Sequence, residues 1–236
     1  IQEPDETERQ YRARELPAAF DFVTNPYAHQ IESLCHVFYY LRSALFLDPG
    51  LGKSKIAIDL LRLLHFLGER SPAVILGPLV TVKNWGKEID KHSAKQLRWA
   101  ALLGTKKEKN AAIDLAASGQ VDVLLLTYDT ARNFVDAIVN NVAYATVIAD
   151  ESHLIAKWKS ERTKAAHELG QKATRKTIMT GTPTLGSPED LYGQFRFLGD
   201  HFMPESMVAY RRRFVELAGP NSHVVLGYKN LDILNA

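Results

Sequence analysis

The sequence has little cysteine, no long apolar run and little net charge. Cys35 is the one cysteine among 236 residues, so the chain forms no internal disulfide framework, and such usage is typical of a reducing compartment. We expect Cys35 to be a small core residue. No apolar stretch is long enough to span a bilayer, and the N-terminal IQEPDETERQ is polar and acidic, unlike a signal peptide. These absences favour an intracellular protein.

The net charge of +2 is too small to indicate a broad basic surface, so any surface for nucleic acid must be local. Basic residues cluster at 106–109, 157–164 and 211–213. Each cluster by itself is interpreted as a solvated helix face. The sequence shows no internal repeat and no low-complexity segment.

Short runs rich in valine, isoleucine and leucine alternate with longer segments of helical periodicity. Most of the short runs are continuous, as is typical of strands buried on both faces of a parallel sheet. This alternation predicts an open, doubly wound α/β domain, with one further helix at residues 29–41 before the first strand. The predicted strands are residues 43–47, 73–76, 98–103, 122–127, 146–149 and 176–179, and the helices after them are residues 53–67, 82–92, 106–118, 130–141, 160–169 and 188–198.

The stretch FLDPGLGKS, residues 46–54, lies between a predicted strand and a predicted helix. A loop in this position binds phosphate through backbone amides and the helix N-terminus. Gly50 and Gly52 would let the backbone approach the phosphates, and Lys53 would reach the β and γ oxygens. The Ser54 hydroxyl would bind Mg²⁺.

Two residues of this loop depart from the strict phosphate-binding pattern. Leu47 stands where that pattern has its first glycine, and Pro49 has no amide to donate. From the loop alone, a nucleotide site and a glycine-rich structural turn both remain open.

The stretch VIADESH, residues 147–153, ends a buried strand in two adjacent carboxylates. Ligands bind at the carboxyl ends of strands in open α/β sheets, and paired acids are costly there unless a cation or a function retains them. One of these carboxylates, Asp150 or Glu151, can hold Mg²⁺, usually through water, while its neighbour orients the water that attacks the γ-phosphate. The alternative, an acidic strand end that caps the next helix, is less favoured because a phosphate loop lies upstream. His153 is a candidate link between the nucleotide and neighbouring loops.

A third strand end, IMTGTP at residues 178–183, places Thr180, Gly181 and Thr182 where hydroxyl groups could sense the γ-phosphate. Taken alone, this segment is a turn followed by a proline. Its position after a predicted parallel strand makes it a candidate site segment.

In this order, the motifs resemble those of the first motor lobe of superfamily 2 helicases, most closely the Swi/Snf-type DNA-dependent ATPases with their compact bacterial and phage relatives. LDPGLGKS is similar to a family loop that lacks the early glycine, and PYAHQIESL to the segment with the adenine-reading glutamine. ILGPLVTVKNWGKEIDKH is similar to the family's Asn-Trp helix, and LLLTYDTAR to its Thr-Ser-Tyr segment. DESH is a form of the family's Asp-Glu-x-His box, and MTGTPTLGSPEDLYGQFRFL is similar to its Thr-Gly-Thr-Pro block. The matching residues beyond those named above include Gln30, Pro78, Asn84, Trp85, Glu88, Thr127 and Tyr128.

The resemblance implies a RecA-like P-loop NTPase lobe, doubly wound around a mainly parallel sheet with helices on both faces. It further implies that the lobe binds ATP and Mg²⁺ and grips one strand of DNA through its backbone. Trp85 is expected to pack rather than to stack on a base. The resemblance assigns catalysis to Lys53, Asp150 and Glu151, and Mg²⁺ binding, partly through water, to Ser54 and Asp150. It assigns ATP contacts to Gln30, Gly50, Leu51, Gly52, Lys53 and Ser54. It assigns coupling to His153, Thr180, Gly181 and Thr182, and DNA backbone contacts to Thr81, Lys83 and Thr127.

The chain departs from the family pattern in three places. Pro49 replaces a common methionine, and Ser152 replaces a common alanine or glycine. Residues 154–157, Leu-Ile-Ala-Lys, replace the usual Arg-Ile-Lys-Asn, so the usual lysine contact is missing or shifted. None of these changes removes a catalytic group.

Motors of this class have a second lobe whose arginines stabilise the transferred phosphoryl group. After Leu198 the sequence has a helical basic segment and the apolar HVVLGYK, and we expect the arginines at 211–213 on the surface of the last helix. We therefore interpret residues 20–236 as an isolated first lobe, preceded by an arm at residues 1–19. A second lobe is expected in a longer natural chain, in the cytoplasm of a bacterium or an infected host cell, or in the nucleus if the source is eukaryotic.

Three functions remain open from the sequence. The favoured one is the ATP-binding lobe of a translocase that moves on duplex DNA. The alternatives are a lobe of a strand-separating DNA or RNA helicase, and a nucleotide-binding or DNA-binding fragment with little turnover by itself.

Overall fold

The computed structural model describes residues 16–17, 19–217 and 225–230. Six parallel strands form one sheet with helices on both faces, so the predicted α/β fold is confirmed. The strands are β1 (Arg42–Phe46), β2 (Ala73–Gly77), β3 (Trp99–Ala101), β4 (Val123–Thr127), β5 (Thr146–Asp150) and β6 (Arg175–Thr180). The helices are α1 (Ala28–Tyr39), α2 (Lys53–Phe66), α3 (Leu79–Ser93), α4 (Lys106–Ala117), α5 (Tyr128–Asn141), α6 (Glu161–Lys172), α7 (Asp190–Leu198) and α8 (Met207–Phe214).

The strand order across the sheet is β1-β6-β5-β2-β4-β3. The strand β6 therefore lies between β1 and β5, although β1 and β6 are far apart in sequence. Because all these strands are parallel, the loops that follow β1, β5 and β6 leave the sheet at the same edge. This arrangement brings the three candidate site segments together.

The central strands β2, β4, β5 and β6 are buried on both faces. Along β2, Val74 and Leu76 pack into one core, and Ala73 and Ile75 pack into the other, because successive side chains of a strand point to opposite faces. Helices α4 to α7 cover the first core, and α1 to α3 cover the second. Two-sided burial explains why the strand segments are continuous apolar runs.

Two helices begin earlier than the apolar periodicity predicts. The helix α3 begins at Leu79, directly after Pro78, and Leu79 and Val80 in its first turn are exposed. The helix α5 begins at Tyr128, because the Thr127 hydroxyl accepts a hydrogen bond from the amide of Thr130 at 3.0 Å and caps the helix. The apolar periodicity missed both first turns, because Leu79 and Val80 are apolar but exposed, and the start of α5 is fixed by the cap at Thr127.

One of the three basic clusters, residues 157–164, does not lie entirely on a helix face. Lys157 and Lys159 lie in the turn before α6 rather than on a helix. The arginines at 211–213 lie on α8 as expected, and Arg212 and Arg213 are exposed. Cys35 is buried in α1, as predicted.

The chain after Gly199 contains a hairpin that the sequence analysis did not predict. The strands β7 (Val215–Leu217) and β8 (Val225–Tyr228) pair antiparallel as a separate two-stranded sheet. β8 falls within the apolar segment HVVLGYK. The predicted arm at residues 1–19 lies almost entirely outside the described residues. No helix in the described part of the chain is long and apolar enough to cross a membrane.

Candidate active site

A cleft of about 660 Å³ opens where the loops after β1 and β5 approach α1 and α3. Its lining contains most of the residues predicted to bind nucleotide and metal. The strand order brings the loops after β1 and β5 together, because these strands lie on either side of β6, and Gln30 and Thr81 approach from α1 and α3. The predicted site residues that line the cleft are Gln30, Gly50, Gly52, Lys53, Ser54, Thr81, Asp150 and Glu151.

The loop after β1 has the backbone conformation that its glycines permit. Gly50 and Gly52 have φ angles of 87° and 83°, a left-handed region that residues with a Cβ rarely adopt. The helix α2 then begins at Lys53, so the free amides of its first turn lie at the cleft. Lys53 Nζ donates to the carbonyl oxygens of Leu47 at 2.7 Å and Asp48 at 3.3 Å, so the ammonium group lies against the loop.

Pro49 has a packing partner that the sequence did not indicate. Its ring lies against Gly181 in the turn after β6, where an added Cβ would come within 2.8 Å of Pro49 Cδ. Only a residue without a side chain fits at 181 unless the loop moves. Pro49 and Gly181 therefore hold the loop after β1 close to the turn after β6.

Gln30 is buried and holds the same loop from the other side. Its Nε2 donates to the carbonyl of Leu51 at 3.2 Å, and its Oε1 accepts from the amide of Tyr27 at 3.1 Å. An added Cβ at Gly52 would lie 2.3 Å from Gln30 Nε2. Leu51 thus joins the site through its carbonyl oxygen. The adenine contact of Gln30 stays a prediction.

We expect Gly52→Ala to weaken ATP binding about tenfold, a loss of about 1.4 kcal/mol. The new Cβ is strained at a φ of 83° and displaces the Gln30 amide from the loop. Gly119→Ala is the matched control, because Gly119 has a φ of 70° with open space around its Cβ position. Titration with ATP and urea unfolding of both variants test the prediction. Equal ATP affinity in both variants would show that Gln30 does not position the loop.

The carboxyl group of Asp150 is buried at the end of β5. Trp85 Nε1 donates to Oδ2 at 2.9 Å, and the amide of Glu151 donates to Oδ1 at 3.0 Å. Burial raises the pKa of Asp150, and the hydrogen bond from Trp85 opposes that rise. A cation at this carboxylate would offset the cost of burying its charge. Trp85 is itself buried, as the packing interpretation predicts, and its bond to Asp150 is a contact that sequence reasoning missed.

Glu151 is held beside the turn after β6. Its φ of 50° and ψ of 52° are left-handed, a strained conformation that concentrates at functional sites. Thr180 Oγ1 donates to Glu151 Oε2 at 3.1 Å, and His153 Nδ1 lies 3.0 Å from Thr180 Oγ1 and 3.3 Å from the same Glu151 oxygen. The amide of Thr182 donates to Thr180 Oγ1 at 3.1 Å. The structure therefore brings these four predicted residues into one hydrogen-bonded cluster.

A second cavity of about 500 Å³ lies between the turns after β2, β3 and β4. Thr127 lines it, whereas Thr81 lines the first cleft and donates its hydroxyl to the carbonyl of Pro78 at 3.1 Å. Lys83 is exposed on α3. The three residues predicted to contact DNA therefore do not share one surface, and their DNA contacts stay predictions.

Two basic side chains at the second cavity escaped the sequence analysis as individual site residues. Lys109 and Arg162 line this cavity, and Arg162 Nη2 donates to Asp129 Oδ1 at 3.0 Å. Both belong to clusters that were interpreted as solvated helix faces. Helical spacing carries no information about a cavity formed between α4, α5 and α6.

The amino-acid sequence is similar to a known domain family and to individual known proteins. Residues 29–217 match the family model described as SNF2-related domain. The DNA annealing helicase and endonuclease ZRANB3 of Bos taurus is 33% identical over 158 residues, which are 64% of this chain and 14% of that protein. Putative protein p41 of Acyrthosiphon pisum secondary endosymbiont phage 1 is 28% identical over 185 residues, which are 75% of this chain and 39% of that protein.

A solved structure, the Sulfolobus solfataricus SWI2/SNF2 ATPase core in complex with dsDNA, superposes with a TM-score of 0.72 at 22% identity. The match covers 85% of this chain and 41% of that one. At this identity the likeness shows the fold, and it agrees with the RecA-like sheet. The chain spans less than half the length of each of these relatives.

Proposed function

The chain belongs to the SNF2-related domain family as a Swi/Snf-type ATPase lobe of helicase superfamily 2, and we propose that it is the ATP-binding half of a motor that moves along duplex DNA. The observation that carries the proposal is the cleft in which the loop after β1, Gln30 and the pair Asp150 and Glu151 converge. A phosphate loop facing two carboxylates across parallel strand ends is suited to phosphoryl transfer.

The side chains of the cleft have separate roles in this proposal. Lys53 and the amides at the start of α2 bind the phosphates. Ser54 and Asp150 would hold Mg²⁺, which when bound would supply positive charge beside the phosphates. Their donor set fits a hard cation, since both supply oxygen atoms and the Asp150 carboxyl is buried. Glu151 orients the attacking water, and Thr180 and His153 fix the position of its carboxylate.

We place DNA at the second cavity. Thr127, Lys109 and Arg162 supply a hydroxyl and two cations there, groups that contact phosphate without reading sequence. Lys83 is exposed on α3 outside the lining of this cavity, and we keep it as a separate proposed contact to the DNA backbone. The Sulfolobus solfataricus structure named for a complex with dsDNA supports a duplex as the substrate.

A second RecA-like lobe, C-terminal in the full-length protein, completes the proposal. The chain covers 41% of the Sulfolobus solfataricus core, which leaves room in the relatives for such a lobe. Because the second lobe supplies arginines to the transition state in this class of motor, the chain alone is expected to hydrolyse ATP weakly. An intracellular location, in a bacterium or an infected host cell or in a eukaryotic nucleus, agrees with a DNA substrate.

Displacement of a third DNA strand from a duplex distinguishes translocation from strand separation. We expect the full-length protein to displace a triplex-forming strand in the presence of ATP, and to leave a blunt duplex paired. Unwinding of the duplex without triplex displacement would favour a strand-separating helicase. Loss of both activities together with retained nucleotide binding would favour a binding fragment.

A further inference from the structure

Tyr128 lies between the two cavities. It is the first residue of α5, directly after the cap residue Thr127, and it borders the second cavity. Its side chain is only 2% exposed and packs in the first core. Its hydroxyl donates to the backbone carbonyl of Asp150 at 2.7 Å. One rigid side chain therefore joins the start of α5 to the end of β5.

The end of β5 is held at several points. The carbonyl of Asp150 accepts from Tyr128, and its carboxylate accepts from Trp85 at 2.9 Å and from the amide of Glu151 at 3.0 Å. The chain then turns through the left-handed conformation of Glu151. A strained backbone conformation persists only where its surroundings hold it. Loss of the Tyr128 hydrogen bond would therefore affect Glu151, because the Asp150 carbonyl belongs to the peptide unit that joins Asp150 to Glu151.

We propose that Tyr128 is a positioning residue that transmits occupancy of the second cavity to the acid pair Asp150 and Glu151. This inference rests on the proposed function and deepens it. A phosphate bound by Thr127 and Lys109 would fix the start of α5, and the hydroxyl of Tyr128 would then fix the carbonyl of Asp150. The peptide between Asp150 and Glu151 would then adopt the orientation in which the Glu151 carboxylate orients the attacking water.

The hydroxyl is suited to this role because it is a buried donor whose acceptor is the backbone carbonyl of Asp150. The hydrogen bond is short and fully excluded from water, a setting in which removal of the donor leaves the carbonyl unsatisfied. No group on the same ring replaces it in a phenylalanine variant.

Tyr128→Phe in the full-length protein tests the inference. We expect the ratio of the kcat for ATP with saturating duplex DNA to the kcat without DNA to fall about tenfold, the effect of losing one buried hydrogen bond from the activated state. The Kd for DNA is expected to stay within about twofold of the natural protein, since the hydroxyl faces the acid pair.

Tyr144→Phe is the matched control. The Tyr144 hydroxyl is also buried and also donates to a backbone carbonyl, that of Leu169 at 2.9 Å, but it lies away from both cavities. A merely structural role would make both variants lose similar thermal stability and keep the same kcat ratio. The inference requires the ratio to fall in Tyr128→Phe alone.

The outcomes separate this inference from the proposed function. A natural protein without DNA stimulation would overturn both. If duplex DNA stimulates the natural protein but the kcat ratio is unchanged in Tyr128→Phe, this inference alone is overturned. It is also overturned if the affinity of Tyr128→Phe for DNA falls in proportion to its kcat ratio. If Tyr128→Phe does not fold, hydrogen exchange of residues 150–156 in the natural protein decides: slower exchange on adding DNA supports the inference, and unchanged exchange overturns it.

Discussion

Lys53→Ala is expected to lower the kcat for ATP of the full-length protein by about 10²-fold to 10³-fold, the range seen when one preorganised group at a developing charge is removed. Lys53 is the first residue of α2, and its ammonium already lies against the loop carbonyls of Leu47 and Asp48. A short flexible movement of the side chain would bring Nζ to the β and γ oxygens of a bound nucleotide. Alanine supplies no charge there.

Steady-state hydrolysis at saturating ATP and DNA measures this effect. Lys87→Ala is the control, since Lys87 is exposed on α3 and has no role in the proposed site. Loss of activity in Lys53→Ala with normal activity in the control supports the assignment. A Lys53→Ala rate equal to that of the natural protein would contradict it.

Glu151→Gln is expected to retain ATP binding and to lower hydrolysis by about 10²-fold to 10⁴-fold, the range for a positioned general base. Glutamine keeps the size of the side chain and one acceptor oxygen for Thr180, which now donates to Glu151 Oε2 at 3.1 Å. It removes the charge that would orient and deprotonate the attacking water. The variant should therefore hold ATP without turning it over.

The test compares ATP affinity with single-turnover hydrolysis. Glu161→Gln provides a control, because Glu161 is an exposed carboxylate on α6 that pairs with Lys164 at 2.6 Å. Substantial hydrolysis by Glu151→Gln would move the general base to another residue. Loss of ATP binding together with hydrolysis would instead indicate a structural role for the left-handed turn.

The sequence predicts the fold class, but it does not predict which strands pair with each other. Buried strands such as β2 carry side chains into two cores, so their continuous apolar runs predict a parallel sheet. The pairing of β1 with β6 depends on packing between segments that are distant in sequence, and no local pattern encodes it. The hairpin of β7 and β8 was missed because three-residue and four-residue strands are too short for periodicity.

In the candidate site, local motifs predict individual residues, but they do not predict the contacts between segments that are distant in sequence. Lys53, Asp150 and Glu151 could be predicted as site residues because loop and strand-end motifs are local in sequence. The contact between Trp85 and Asp150, the packing of Pro49 on Gly181, and the bond from Tyr128 to Asp150 join distant segments. Pro49, a departure from the family pattern, is accounted for by its place against the turn after β6.

The measurement that tests the proposal of a DNA-dependent motor most directly is ATP hydrolysis by the full-length protein with and without duplex DNA. The cleft at Asp150 and Glu151 and the cavity at Thr127 lie at the same edge of the parallel sheet, so occupancy of the cavity is expected to change the rate of hydrolysis in the cleft. We predict that duplex DNA raises the rate strongly and that Lys53→Ala removes this rise. A rate that is the same with and without duplex DNA would contradict the account.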